Sequence, residues 1–468
     1  MSQAAIYYST SRNPINYAKN WEYSLNSTAA LITKYIGKNK NVVVPRKIEC
    51  KPVIVQNNVN YAYGVFANNR NITSVKFGEG VRIANNNMSN MFYNCSNISD
   101  IANIPNNTEN MANTFWLCSN LVNVSNIPAN VQNIVYLFNG CLKLSNFPEL
   151  PLNITNMAGV FYNCRSLVAS PTIPSNVTSM CNTFYCCYNL VTAPNIPNGV
   201  TNMCGAFRGC TNLTQASVIP NGVTDMSGTF QSCYKLQASP AIPINVTNMA
   251  NTFSACMCLT SAPVIPNNVT NMYSTFFCCY NLNSVPDVPN KVTNIGYAFY
   301  HCDNITSAPN ILANVTVMYN TFSYCINLTS PPVLPVSVTS LINTFSYCAN
   351  LTKSPIIPMN VTNMFGTFQN CTNLTTAPNI PIDVTNMVNT FRNCVNLTGN
   401  IFIETTRINN TSMQNCFYGT SLEKNVYIVI VGFNATANTW NTAFNSTYGI
   451  NGKNGVTVKQ YAGGAIQL

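Results

Sequence analysis

Cysteine has the most chemistry to offer in this chain, and its spacing decides how much of it is available. The sequence holds 21 cysteines and a single histidine in 468 residues. Fourteen of the cysteines recur every 23 residues without a slip, from Cys95 and Cys118 to Cys371 and Cys394. A closed zinc site needs four ligands in paired Cys/His spacing, and no CxxC pair is spaced that way. A column of identical inward residues reads instead as a small apolar side chain filling a narrow layer. Buried, reduced thiols are therefore expected, with no metal and no cofactor. The remaining seven are Cys50, Cys181, Cys186, Cys204, Cys258, Cys278 and Cys416. Stacked thiols can approach disulfide distance, and Cys181 with Cys204 is the pair to test, since the two share one column in neighbouring repeats.

Catalysis needs convergent titratable groups. Residues 83–397 contain seven acids, among them Asp287 and Asp303, scattered so that no pair recurs in register. His301 lies beside Cys302 without a partner column and reads as a lone surface histidine. No enzyme is expected, and no catalytic residue is assigned. Aromatic rings are more suggestive. Three residues before each ladder cysteine stands a phenylalanine, from Phe92 to Phe391, and positions can be numbered from it. Position +1 holds Tyr93, Trp116, Tyr162, Tyr185, Phe277 and Tyr300, position +2 holds Tyr324 and Tyr347, and position +4 holds Tyr188, Tyr234 and Tyr280. These columns are free of the core pattern, so many of the rings are expected to be exposed. Aromatic faces amid uncharged Asn, Ser and Thr suit stacking on sugars or on a flat protein epitope. The candidate ligand-binding residues are Trp116, Tyr162, Tyr185, Tyr188, Tyr234, Phe277, Tyr280, Tyr300, Tyr324 and Tyr347. The competing reading has the same rings packing over the turns as a cover.

The elements that must carry these residues follow from the period. A gapless repeat of this length is a solenoid in which each coil stacks on its neighbours. Leu or Ile stands at +6 in all fourteen repeats, an aliphatic residue at +12, and Pro at +13 in all but one full repeat, where Leu312 replaces it. Met, Phe and Cys at spacings of four and three predict one face of a short helical turn. The stretch from +7 to +12 is too short for a helix and reads as one short parallel strand per coil, ended by the proline. Asn-x-Ser/Thr triplets such as those beginning at Asn176 and Asn212 sit at fixed repeat positions, so hydrogen bonding in turns explains them better than glycosylation.

Residues 1–20 show no periodicity and read as an arm or attachment segment. Residues 21–82 read as an N-terminal cap of strands (WEYSL, ALITKYI, NVVVP, KPVIV) closed by a half-repeat at Ala62–Phe66 with Asn69 in the cysteine position. Residues 83–397 are the repeat array. Residues 398–468 read as a C-terminal cap with a terminal strand in KNVYIVIVGF, where Cys416–Phe417 reverses the usual order. The net charge of +10 is uneven: residues 1–82 carry eleven Lys/Arg against three acids, and the array carries seven of each. Nucleic-acid binding by the array would need a basic stripe, which is missing. No apolar run approaches the ~20 residues of a membrane helix, and the first residues lack the apolar segment of a secretory signal.

The unit VTNMxxTFxxCxNLTxAPxIP, seen at 269–289 and 361–381, resembles BspA-type leucine-rich repeats, and the cap and tail sequences resemble the opening and closing modules of such proteins. The resemblance covers about residues 21–460. It implies an α/β solenoid, a leucine-rich-repeat-like array of 23-residue coils with one short parallel strand plus a short helical turn each, and N- and C-terminal caps. It implies a binding role without catalytic residues, since members are mostly bacterial surface proteins and adhesins with relatives encoded by bacteriophages. The missing signal and reduced cysteines point to a bacteriophage virion protein of the tail or fibre, a receptor-binding adhesin for host attachment. Its partners would be other virion proteins through the N-terminal region and a host-surface glycan or protein, in multiple copies or as a homo-oligomer. Nucleic acid and membrane insertion are not expected. The alternatives are a bacterial cell-surface adhesin and an intracellular solenoid scaffold.

Overall fold

The computed structural model describes residues 17–57, 64–312, 314–398, 401–403, 411–420, 427–431 and 457–461. The first sixteen residues of the expected arm and the glycine-rich stretch around Gly449–Gly455 lie outside them. The chain divides into two compact units, Met1–Val223 and Thr224–Leu468.

The first unit opens with strands β1 (Trp21–Leu25), β2 (Ala30–Tyr35), β3 (Asn41–Val44), β4 (Lys47–Ile48) and β5 (Lys51–Val55), where the alternating apolar runs predict them. Strands β6 (Ser74–Phe77), β7 (Arg82–Ile83), β8 (Asp100–Ala102) and β9 (Asn123–Val124) continue the pairing. The β1–β2 hairpin is antiparallel, and β2, β5 and β7 pair in parallel on one side. On another side β3, β6, β8 and β9 form a parallel sheet. The cap closes the core with aromatic rings. Trp21 meets Tyr35 at 4.9 Å and Phe66 at 5.8 Å, and Phe66 stacks on Phe92 at 4.9 Å. The half-repeat phenylalanine is thus the first rung of the ladder, and Trp21 covers its open face.

Beyond the cap, coils of 23 residues stack within each unit. Phenylalanine centroids lie 5.5–5.7 Å apart from Phe92 to Phe207 in the first unit and from Phe230 to Phe417 in the second. Two parallel ladders run down the coils, at position −5 (Asn110 with Asn133, Asn248 with Asn271) and at +8 (Thr192 with Gln215, Ser261 with Ser284). The strand expected at +7 to +12 is reduced to two to four residues near the cap, as in β6, β8 and β9, and to single bridges elsewhere. The second unit ends in a parallel sheet of β10 (Ile401–Ile403), β11 (Tyr427–Val431) and β12 (Thr457–Tyr461).

The helical turn expected at each Met–Phe–Cys segment is not there. Helical geometry among the described residues amounts to three short 3-10 turns at Tyr17–Asn20, Ala84–Asn86 and Thr411–Met413. Each coil instead carries a ribbon of successive turns. Around Phe276, the N–H groups of Met272, Ser274, Phe276 and Cys278 donate to carbonyls of the next coil, at 2.7–3.0 Å. The residues between them, Thr275, Phe277 and Cys279, donate back three residues within the coil. An α-helix sends every N–H to its own i−4 carbonyl, whereas here every second one binds the neighbouring coil. Backbone conformation enforces the difference. Residues at −2 and +2 have φ near +60° in coil after coil, for example Asn113 and Leu117, Asn182 and Cys186, Ser274 and Cys278. Left-handed residues at that spacing cannot propagate a right-handed helix.

The core cysteines do more than fill space. Within each unit core thiols donate to the phenylalanine carbonyl of the preceding coil, as Cys118 Sγ to Phe92 O at 3.1 Å and Cys279 Sγ to Phe253 O at 3.1 Å. Buried threonines at −1 act alongside: Thr275 Oγ1 donates to Met249 O at 3.0 Å. Burial pushes the thiols up, from 9.0 to about 12 at Cys95 and Cys394 and well above 9.0 at Cys118 and Cys371. Cys181 and Cys204 both stand as thiols. The Asn-x-Ser/Thr triplets serve the turns, with Asn176 Nδ2 donating to Leu152 O and Asn212 Nδ2 to Asn189 Oδ1. Among the described residues no helix is long and apolar enough to cross a membrane.

Candidate functional site

The turn ribbon decides where the aromatic columns go. Because each coil offers the same two left-handed positions and the same register to the next, side chains at one position lie over one another along the stack. In the second unit this assembles nine rings from four coils: Tyr273, Phe277, Tyr280, Tyr297, Tyr300, His301, Tyr319, Tyr324 and Tyr347. Phe277 stacks on Tyr300 at 4.8 Å with 5° between planes. In the next column His301 stacks on Tyr324 at 4.5 Å, and Tyr324 on Tyr347 at 4.3 Å. Tyr300 bridges the columns edge-on, at 5.4 Å from His301 and 5.5 Å from Tyr324, and Tyr297 lies edge-on to Tyr300 at 5.6 Å and to Tyr319 at 5.4 Å. Such contacts are worth about 0.5–1.5 kcal/mol each beyond the area they bury.

Five of the sequence-predicted residues, Phe277, Tyr280, Tyr300, Tyr324 and Tyr347, meet in this cluster. Tyr162, Tyr185 and Tyr188 meet in the first unit, where Tyr162 and Tyr185 stack at 4.3 Å. Trp116 contacts Tyr93 edge-on at 5.6 Å and lies over Tyr136 at 6.3 Å. Tyr234 makes no ring contact among the described residues. The exposure expected for these rings is corrected: only Tyr234 and Tyr347, at 40% and 37%, are exposed, and the other eight are half-buried. Stacking explains this, because each ring covers the face of the next. The open ring face in the column of three is that of Tyr347, since the following coil has Asn370 in that position.

His301 is likewise not alone. Its Nδ1 lies 2.8 Å from Asp303 Oδ1, and its ring packs against Tyr280, Tyr300 and Tyr324. Sequence reasoning also missed Tyr273, Tyr297 and Tyr319. Their positions, −3 and −2, join the cluster only through the ribbon geometry. One signal was available: Asn or Gly fills position +2 at Asn94, Gly140, Asn163, Gly209, Asn370 and Asn393, which marks a left-handed backbone.

The electrostatics of the cluster are those of neutral donors. Tyr280 is pushed up to about 12, chiefly by its hydrogen bond with Cys278 and then by burial. Burial, reinforced by neighbouring tyrosines, raises Tyr300, Tyr319 and Tyr324. Tyr280, Tyr300, Tyr319 and Tyr324 keep their protons through neutral pH. Among the described residues no group of three or more His, Cys, Asp or Glu could hold a metal ion. A separate apolar rim lies at +11 and +14 of the coils of Phe322 and Phe345, where Val333, Val336, Ile356 and Met359 are all more than 60% exposed.

Comparison with known proteins accounts for the scaffold. The family of BspA-type leucine-rich repeat regions matches residues 51–167, 135–260, 205–329 and 315–439. Among solved structures, a leucine-rich repeat protein from Bacteroides ovatus is similar at 19% identity and a TM-score of 0.53, covering 94% of this chain and 98% of its own. A leucine-rich cell-surface protein from Faecalibacterium prausnitzii is similar at 21% identity and a TM-score of 0.40, covering 87% and 95%. No curated protein matches.

Proposed function

Because the chain belongs to the BspA-type leucine-rich repeat family, we propose that it is a non-enzymatic binding protein, and that the nine-ring cluster of the second unit engages a host-surface ligand. One observation carries the assignment. Position +2 requires φ near +60°, which suits Asn or Gly and costs a residue with a Cβ about 1–2 kcal/mol. In three consecutive coils that position holds His301, Tyr324 and Tyr347 (φ 56°, 63° and 62°). Other left-handed residues stand there at Leu117, Cys186, Ser232, Ala255 and Cys278, but only these three coils place an aromatic ring at +2, and rings kept at that position on an accessible face support a role other than folding. Stacked rings ending in the partly exposed Tyr347, amid uncharged Asn, Ser and Thr, suit a glycan. The apolar rim at Val333 and Ile356 supports a second reading, in which the ligand is a flat protein surface.

For placement, the reading is a bacteriophage virion adhesin of the tail or fibre, held to the particle through its basic N-terminal region and present in several copies so that weak sites gain by avidity. Buried thiols accord with assembly in a reducing compartment. The alternative placement is a bacterial cell surface, in keeping with the family. Immunogold electron microscopy on particles from a producing culture tests this. Label at the tail or at a capsid vertex is expected, and label on the cell wall with bare particles would transfer the protein to the alternative. Binding of purified protein to host cells, compared with the variant Tyr347→Asn, tests the site.

A further inference from the structure

We infer that the first unit carries a second, chemically distinct site: the face formed by Tyr162, Arg165, Tyr185, Tyr188 and Arg208 binds the oxyanion, a carboxylate or a sulfate, of a sparsely charged polysaccharide. The inference rests on the reading of the chain as a surface binder but uses residues of the first unit alone.

The charge pattern comes first. From Leu150 to Thr224 the sequence contains no Asp, Glu, Lys or His, and its only charges are Arg165 and Arg208. The coil register then brings them together. Tyr162, Tyr185 and Arg208 succeed one another at +1 of three coils, and Arg165 and Tyr188 at +4 of the first two. The two rings of the first column are 3° from parallel at 4.3 Å. Arg208 Cζ lies 5.3 Å from the Tyr185 centroid, and Arg165 Cζ lies 5.1 Å from that of Tyr188. Arg165 Nε also donates to Asn163 Oδ1 at 2.9 Å, which fixes the plane of its guanidinium. Both arginines are exposed.

A guanidinium held against a ring has lost most of the rotamer freedom that binding would otherwise remove, and its planar fork of donors matches an oxyanion. The hydroxyls add to it. Burial first, and then Tyr185, push Tyr162 up to about 12, and a hydrogen bond with Cys186 raises Tyr188, so these groups stay protonated donors. The charge density selects the class of polymer. Two cations on an array of zero net charge release about two counterions from a nucleic acid, which is too few for tight binding. They match one acidic group every few sugars, with Asn, Ser and Thr left to meet hydroxyls.

The test is affinity electrophoresis of the full chain through gels containing hyaluronan (carboxylate), chondroitin sulfate (carboxylate and sulfate), neutral dextran, or single-stranded DNA. Retardation by one or both acidic glycans and not by dextran is expected, and the difference between the two identifies the oxyanion. The double variant R165Q/R208Q should lose at least ten-fold in affinity. R165K/R208K, which keeps the charge without the fork, should fall between, and Lys353→Gln, which removes an exposed cation of the second unit, should bind these glycans as the parent does. Thermal melts check that each variant is folded. The inference is overturned if neither acidic glycan binds, if dextran or DNA binds as well as they do, or if R165Q/R208Q is retarded like the parent. Should it fail while host-cell binding remains sensitive to Tyr347→Asn, the proposed function stands without this site.

Discussion

Tyr347 is where stability and binding pull apart most clearly. Its backbone is left-handed and its ring stacks on one neighbour only, so replacing it with asparagine exchanges one stacking contact for relief of strain at φ 62°. The two terms are each about 1 kcal/mol, so Tyr347→Asn should leave the melting temperature unchanged or raise it while weakening host-cell binding. A fall of several degrees with binding intact would mark the ring as a packing residue. Cys279 poses the opposite question, since it is wholly buried and donates to Phe253 O. Cys279→Ala loses both volume and donor and should cost about 1–3 kcal/mol. Cys279→Ser keeps a donor, and urea unfolding should find it less damaged; equal losses would show that the thiol serves by size alone.

At the scale of the element, the turn ribbon replaces the helix, and its left-handed positions are the parts most exposed to substitution. Gly159 has φ of +61°, and a Cβ there would sit 2.1 Å from the Tyr136 ring. Gly159→Ala should therefore destabilise the first unit by about 1–2 kcal/mol through the backbone alone. It should also push Tyr136 away from Trp116, which near-ultraviolet circular dichroism would report. An unchanged aromatic spectrum with an unchanged melting temperature would contradict the ribbon geometry at that coil.

For the molecule as a whole, the cysteine ladder makes stability depend on pH in one direction. Burial raises the folded thiols above the ordinary 9.0, to about 12 at Cys95 and Cys394 and well above 9.0 at inner members such as Cys118. A raised folded value means that the contribution is complete below pH 9 and is lost as pH rises from 9 towards 12. The melting temperature should thus be level between pH 6 and 8 and fall steadily above about 9. Thiol reagents provide an independent check: exposed Cys50 and Cys258 should react at once in the native protein, and ladder thiols only on unfolding. Rapid reaction of the whole set at neutral pH would mean that the ladder is open.

The period of 23 residues was enough to establish stacking and the inward columns of Phe, Cys, Met and Leu, because burial imposes the same demand on every coil and repetition makes that demand visible. The thiol ladder was legible for the same reason. The helical turn was misjudged because a spacing of three and four fits any turn that keeps one face inward. What excludes the helix is the sign of φ at −2 and +2, and side-chain type records that sign only as a surplus of Asn and Gly. The clusters were legible as columns but not as sites. Whether Tyr297 at −2 meets Tyr319 at −3, or Arg208 settles over Tyr185, depends on the offset between coils. Hydrogen bonds from every second N–H to the next coil set that offset, and they exist only once the coils are stacked.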